Sequence, residues 1–369
     1  MARTLRSDRV LFVTTLMLLG ISVAMVYSAS AVVAMERQGQ ANLYLTKQAV
    51  FAVIGLFAMW VAMKVDYTIY SRFAVAGTLL GVAVLALILV LVVGPRVNGA
   101  RRWFAMGPMR MQPSELAKLA MVFFTAMILE RRMDRIDETR YALLPIASAL
   151  VVVLLLVLLE PDLGTTVAIL GVVATMVFAA GLPYRVLGGL ALVMLPALGF
   201  LAVSADYRWR RLVAFWRPED NPLGDSFQLI QSLIAVGTGG IWGRGIGEGV
   251  QKLFYLPEPH TDFIFAVISE ELGLVGATLI LMCFAVIMWR GLRVSLHAPD
   301  RFGSLVALGL TMMIAAQAFV NISVVLGMLP TKGLPLPLVS AGGSSLIVSL
   351  AGMGVLLNIS QHASSGDWE

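Results

Sequence analysis

Chemistry in this 369-residue chain has to rest on carboxylates and cations. Its one cysteine, Cys283, lies inside an apolar run, and its three histidines, His260, His297 and His362, are scattered. Neither a disulfide framework nor a cysteine or histidine metal cluster is available. The most suggestive group closes a long polar stretch. In Leu256-Pro257-Glu258-Pro259-His260-Thr261-Asp262-Phe263 two prolines halt helix formation, and an apolar segment starts straight after Asp262. A carboxylate fixed there beside His260 can take a proton from a hydroxyl, although residue type alone favours Asp262 or Thr261 as the N-cap of the following helix. Glu270 and Glu271 follow in the same segment, about 12 Å deeper along a regular helix. As neighbours they point to different helix faces, so at least one must turn inward or be protonated.

Other patterns add charge. Gln112-Pro113-Ser114-Glu115-Leu116-Ala117-Lys118 opens an apolar segment with Glu115 and Lys118 one turn apart, a pair that either neutralises itself or serves binding and conformational control. Glu160-Pro161-Asp162-Leu163-Gly164 separates two apolar runs, and Asp162 suits a helix cap better than a catalyst. Lys332, in Pro330-Thr331-Lys332-Gly333-Leu334-Pro335-Leu336-Pro337, is an outward cation whose natural partner is an anionic headgroup. The glycines and serines of Ser340-Ala341-Gly342-Gly343-Ser344-Ser345 allow close backbone approach and supply hydrogen-bonding groups. Between Gly94 and Pro113 stand Arg96, Arg101, Arg102 and Arg110 with no acidic residue, as an external anion would require. The glycine run from Gly237 to Gly249 lacks the preceding strand and the Gly-Lys-Ser/Thr ending of a nucleotide loop. It reads as flexible or re-entrant backbone at a membrane surface.

The elements that position these residues are membrane spans. With 59% hydrophobic and 13% charged residues, and a mean hydropathy of +0.87, a soluble globular domain is excluded. The net charge of +5 sits in short clusters between apolar runs, which mark topology rather than nucleic-acid binding. Ten segments approach the length of about 20 residues that a spanning helix needs. They run from Val10 to Ala31, Gln48 to Met63, Phe73 to Val93, Glu115 to Leu129, Leu143 to Leu159, Leu163 to Ala180, Val186 to Val203, Phe263 to Trp289, Gly303 to Met328 and Leu338 to Ile359. The first follows Arg3, Arg6 and Arg9 and reads as a retained anchor rather than a cleaved leader. With Arg131, Arg132 and Arg135, and with Arg290, Arg293 and Arg301, those arginines place both termini in the cytoplasm. The expected architecture is an all-α bundle of ten transmembrane helices forming a single domain over residues 1–369. Residues 205–262 form a long extracytoplasmic loop between the seventh and eighth spans, longer than a connection requires and therefore functional or disordered.

These motifs jointly resemble the SEDS family (shape, elongation, division and sporulation). The resemblance rests on Pro259-His260-Thr261-Asp262-Phe263-Ile264-Phe265 with Glu270-Glu271-Leu272-Gly273, on Gln112-Pro113-Ser114-Glu115, on Pro161-Asp162-Leu163-Gly164-Thr165, and on Gly333-Leu334-Pro335-Leu336-Pro337 with Gly342-Gly343-Ser344-Ser345. It covers nearly the whole chain. Pro330-Thr331-Lys332-Gly333 looks more like the division branch, FtsW, than the elongation branch, RodA; the chain departs from the family at Ala341, where tyrosine is usual. The resemblance implies a ten-span inverting glycosyltransferase that polymerises lipid II into peptidoglycan at the outer face of the bacterial cytoplasmic membrane. It would work with a class B penicillin-binding protein and other division proteins, and Asp262 falls on the family's catalytic aspartate.

The residues agree with that expectation. Lipid II carries a pyrophosphate at the headgroup boundary, where Arg101, Arg102, Lys118, Arg210, Arg211 and Lys332 could supply charge-assisted hydrogen bonds, with His260 and Ser344 as further substrate contacts. An α-linked donor becoming a β-linked glycan needs one base and no covalent intermediate, and Asp262 is the expected base. Glu115 with Lys118 would brace the cavity, and Asp162, Glu270 and Glu271 would serve structure or regulation. A divalent cation, magnesium or manganese, could share the pyrophosphate charge, but no ligand cluster demands one. Two rivals are a lipid II flippase, which needs polar groups reaching through the midplane such as Glu270 and Glu271, and a scaffold for which Asp262 is dispensable.

Overall fold

The computed structural model describes residues 7–97, 99–106, 109–132, 139–182, 184–253 and 255–363; Arg3, Arg6 and Arg135 of the topology argument lie outside them. A helix occupies each apolar segment: α1 (Arg9–Gln38), α2 (Leu43–Lys64), α3 (Phe73–Val93), α4 (Pro113–Arg132), α5 (Thr139–Leu159), α6 (Leu163–Ala179), α7 (Tyr184–Val203), then α10 (Ile264–His297), α11 (Arg301–Val325) and α12 (Ser344–His362). Among the described residues six of these, α1, α2, α3, α10, α11 and α12, are long and apolar enough to cross a membrane. The apolar stretches Leu143–Leu159 and Leu163–Ala179 are shorter. Side-chain carboxylates set several starts: Asp8 accepts from Leu11 N at 3.1 Å, Asp162 from Thr165 N at 3.0 Å and Asp300 from Gly303 N at 2.7 Å. α1 stops at Gly39, whose φ of 69° an L side chain rarely adopts.

Packing follows from small residues at the crossings. α2 lies along α12, where a Cβ on Gly55 would come within 2.5 Å of Leu350 Cδ1 and one on Gly354 within 2.5 Å of Met59 O. α10 packs on α11, with Gly291 against the Thr311 side chain. The central element is α4, in contact with α3, α5, α6, α11 and α12 and buried on nearly every side, which is how it can carry Glu115 and Lys118. Phe123, Phe284 and Phe302 are the largest side chains fully buried in the core.

Three expectations are corrected. The arginine-rich segment after α3 contains a short antiparallel hairpin, β1 (Phe104–Met106) with β2 (Met109–Met111), in which Ala105 pairs with Arg110, so the chain is not wholly helical. Residues 205–262 are not simply a loop: they hold an amphipathic helix, α8 (Asp206–Trp216), a 3-10 turn at Pro218–Asp220, and α9 (Phe227–Thr238). The glycine run after α9 is not loose backbone. A Cβ on Gly239 would strike Ser269 O and one on Gly243 would strike Glu271 O, so only glycines let this segment lie on α10. There α10 breaks at Gly273 (φ 65°, ψ −162°), and Arg244 N and Gly245 N donate to Glu270 O and Glu271 O, each at 3.0 Å.

Candidate active site

Asp262 sits two residues before α10, and that helix takes Phe263 as its N-cap with no side-chain capping bond. The carboxyl of Asp262 forms no hydrogen bond among the described residues, so the capping reading fails. Its main chain, by contrast, is held firmly. Asn321 Nδ2 donates to Asp262 O at 2.8 Å, Ser340 Oγ donates to Thr261 O at 2.6 Å, and Ala341 N donates to His260 O at 3.0 Å. That last bond is made by the main chain, so it persists with alanine in place of the usual tyrosine. Opposite the carboxyl lies Gly333, where a Cβ would stand 3.0 Å from Asp262 Oδ2.

The electrostatic surround is mixed. Burial, with help from the Glu258 carboxylate, pushes the Asp262 carboxyl up to about 7, against the opposing pull of Arg211 and Arg102 and a further push from Asp162. Lys332, half-buried next to Gly333, is pushed below its ordinary range by burial, while Asp162 pulls it back up. Asp262, Asp162, Arg102, Arg211 and Lys332 therefore share one electrostatic neighbourhood, although they come from five separate stretches of chain. Among the described residues no group of three or more His, Cys, Asp or Glu side chains could hold a metal ion.

The other predicted residues divide. Arg102 reaches the turn between α5 and α6, donating to Glu160 O at 2.7 Å and Pro161 O at 2.6 Å, and there Asp162 caps α6 and accepts from Gln112 Nε2 at 3.2 Å. Glu115 and Lys118 pair at 2.9 Å with both side chains buried, and Lys118 Nζ also donates to Gln317 Oε1 at 2.7 Å. Ser344 is buried at the start of α12, where its Oγ accepts from Gln112 N at 3.1 Å, so it ties α12 to the start of α4. His260 packs 4.4 Å from the Tyr44 ring and lies 3.7 Å from the exposed Glu258 carboxylate. Arg101 turns away, donating to Leu91 O and Val92 O at the C-terminus of α3. Arg210 forms an exposed pair with Asp225 at 3.8 Å.

Glu270 and Glu271 both turn inward and both are satisfied. Glu270 accepts from Val250 N at 2.8 Å and Gln251 N at 3.1 Å, with Arg244 3.8 Å away. Glu271 receives Lys252 Nζ at 2.6 Å, Ser28 Oγ at 2.7 Å and Gly247 N at 3.0 Å. Their role is to anchor the glycine-rich segment to α10. Sequence reasoning missed Lys252 as the partner, as well as Asn321 and Gln317. The signal for the last two was present: amides inside an apolar segment require a use. It also passed over Glu160, whose carboxyl is fully buried with neither oxygen hydrogen-bonded among the described residues and is held up to about 8 by burial and by Asp162.

A helical bundle with several helices long and apolar enough to cross a membrane, and an acidic residue at the rim of one of them amid both acidic and basic side chains, defines the class: a multi-pass membrane protein with a polar site at one edge. A family model described as a cell cycle protein, covering FtsW, RodA and SpoVE, matches residues 9–365. The chain is 43% identical to Stage V sporulation protein E of Bacillus subtilis, over 96% of this chain and 97% of that one. It is 42% identical to "Probable peptidoglycan glycosyltransferase FtsW" of Geobacter metallireducens, over 96% and 95%. Among solved structures it resembles a chain described under "Structural coordination of polymerization and crosslinking by a peptidoglycan synthase complex", with a TM-score of 0.78, 34% identity and coverage of 96% and 98%. The Thermus thermophilus rod shape determining protein RodA gives a TM-score of 0.72 at 32% identity, over 98% and 99%. The chain belongs to the FtsW, RodA and SpoVE family and has the RodA-like fold.

Proposed function

We propose that the protein is a peptidoglycan glycosyltransferase that polymerises lipid II during septal wall synthesis, with Asp262 as its general base. The observation that carries this is the Asp262 carboxyl, used in no helix cap, half-buried and set against the Lys332–Gly333 turn. In the step proposed, an acceptor sugar hydroxyl attacks the anomeric carbon of the donor with inversion. Asp262 takes the hydroxyl proton, the new glycosidic C–O bond forms, and the C–O bond to the lipid pyrophosphate breaks with its electron pair leaving on the pyrophosphate. Lys332, Arg102 and Arg211 stabilise that leaving charge. Lys118 acts with Glu115 as a brace behind the site, reaching the Lys332 segment through Gln317.

The same reading places ten helices across the bacterial inner membrane in a single domain, with both termini in the cytoplasm and residues 205–262 outside. A class B penicillin-binding protein is the proposed partner, a pairing supported by the peptidoglycan synthase complex among the structural relatives. A septal role is supported by the Pro330-Thr331-Lys332-Gly333 motif and by relatives named FtsW. Glu270 and Glu271, which favoured a flippase, are spent on internal partners. The experiment is glycan polymerisation from purified lipid II with a transpeptidase-inactivated partner, comparing the native chain with Asp262→Ala at equal folded amounts. Loss of polymer only in the variant supports the reading. Equal polymer in both removes Asp262 as the base, and lipid II crossing vesicle membranes without polymer removes the enzyme.

A further inference from the structure

Asn321 and Gln317 stand one turn apart on α11, 1% and 4% exposed, in a helix that after Arg301 is otherwise built of apolar and small residues. Buried amides in such a helix are held for their hydrogen bonds. Asn321 Nδ2 donates to two carbonyls from distant parts of the chain, Asp262 O at 2.8 Å and Leu334 O at 2.7 Å. Only the nitrogen end of an amide can give two such bonds, so its orientation is settled by its partners. Its Oδ1 is buried with no hydrogen-bond partner among the described residues, so the side chain serves here as a two-point donor alone. One turn away, Gln317 Nε2 donates to Pro335 O at 2.9 Å while its Oε1 accepts from Lys118, itself paired with Glu115.

The stretch these amides hold has few bonds of its own. Pro330, Pro335 and Pro337 deny it helical structure and remove three N–H donors. Pinning Leu334 O and Asp262 O to the same nitrogen sets the separation between the Lys332–Gly333 turn and the Asp262 carboxyl. We propose that Asn321 is a positioning residue that fixes the base, Asp262, against the segment carrying the leaving-group cation, Lys332, with Gln317 as a secondary anchor. This rests on the glycosyltransferase reading above. Asn321 touches neither donor nor acceptor sugar in that scheme and acts only through the two main-chain carbonyls.

The test is lipid II polymerisation by the full chain with its transpeptidase-inactivated partner, from pH 5.5 to 9, on equal amounts of monodisperse complex. Asn321→Leu, close in size but without donors, is expected to lower turnover at saturating lipid II by roughly tenfold to a hundredfold, the scale of a misplaced reacting group. The half-saturating lipid II concentration should move by less than about twofold, because no sugar contact is lost. The acid limb of the pH profile should shift downward, because a released Asp262 gains water. Asn321→Gln keeps the two-donor amide and should recover turnover relative to Asn321→Leu. Gln317→Leu should give a smaller fall with the same signature, and it decides the question if Asn321→Leu does not assemble. Wild-type turnover and pH profile in the leucine variants would overturn the proposal, as would a loss that is uniform across pH and shared by Asn321→Gln. Asp262→Asn, run in parallel, separates the two levels: full activity there defeats the base itself, whereas an inactive Asp262→Asn beside a wild-type Asn321→Leu defeats only the positioning.

Discussion

As the proposed base, Asp262 would work only when ionised, and its surroundings raise the pH at which it ionises. A carboxyl held up to about 7 is largely protonated below that value. Polymerisation should therefore fall as pH drops through about 7, and Asp262→Asn should lower turnover by about a hundredfold or more, the scale of a lost general base. The stability sign is the opposite. A raised carboxyl favours the folded state while protonated, and that contribution is lost as pH rises from the ordinary carboxylate range through about 7. Asp262→Asn should accordingly melt higher than the native chain at pH 8 and close to it at pH 4, as read by thermal unfolding in detergent. In the proposed mechanism Lys332 governs the alkaline side. Burial lowers its pKa, so the rate should decline below the ordinary lysine range as the ammonium deprotonates, and Lys332→Arg should remove that decline because a guanidinium keeps its charge. A single rate profile against pH for each of the three proteins checks the predictions on rate.

Among elements, the glycine-rich segment and α10 form one unit. Glu270 and Glu271 sit near the Gly273 break, and each is satisfied by groups contributed from residues 244–252, with Ser28 of α1 assisting. Lys252 and Glu271 are buried on both sides of their 2.6 Å pair. Removing one partner leaves an uncompensated charge, so Lys252→Met should cost about 3–5 kcal/mol, and adding Glu271→Gln should return part of that loss. Gly239→Ala and Gly243→Ala should also destabilise, because each methyl would press on a backbone carbonyl of α10 that cannot move without unmaking the break. Denaturant titration of the purified chain separates these outcomes. If Lys252→Met is neutral, the pair does not hold the segment to α10. The adjacency of two glutamates in an apolar segment was legible as a demand for partners. Which partners met it was not, since Ser28 lies far away in sequence and Lys252 sits in a stretch with no periodic signal.

For the whole molecule, the arrangement across the membrane makes a direct prediction. In the proposed topology Leu223, 88% exposed between α8 and α9, lies outside, and Leu296, 82% exposed near the end of α10, lies inside. In a Cys283→Ser background, Leu223→Cys should react with an impermeant maleimide on intact cells and Leu296→Cys only after lysis; the reverse pattern would invert the topology and place Asp262 in the cytoplasm. The sequence by itself determined where the long apolar helices form, though not α8 and α9, because unpaired backbone is too costly in hydrocarbon and long apolar runs have no other solution. It also singled out Asp262, Lys332 and the Glu115–Lys118 pair, since charges beside or within apolar segments are expensive and stand out. Only the tertiary structure decided what each charge meets. It turned Arg101 to the end of α3, gave Lys252 to Glu271 and folded the glycine run onto α10, and it brought Asp262, Asp162, Arg102, Arg211 and Lys332 into one neighbourhood, with an amide of α11 tying the main chain at Asp262 to that at Leu334. Hydropathy is a local property of the chain, whereas pairing depends on crossings between helices far apart in sequence, set by small residues such as Gly55, Gly291 and Gly354 and by buried donors that no periodicity announces.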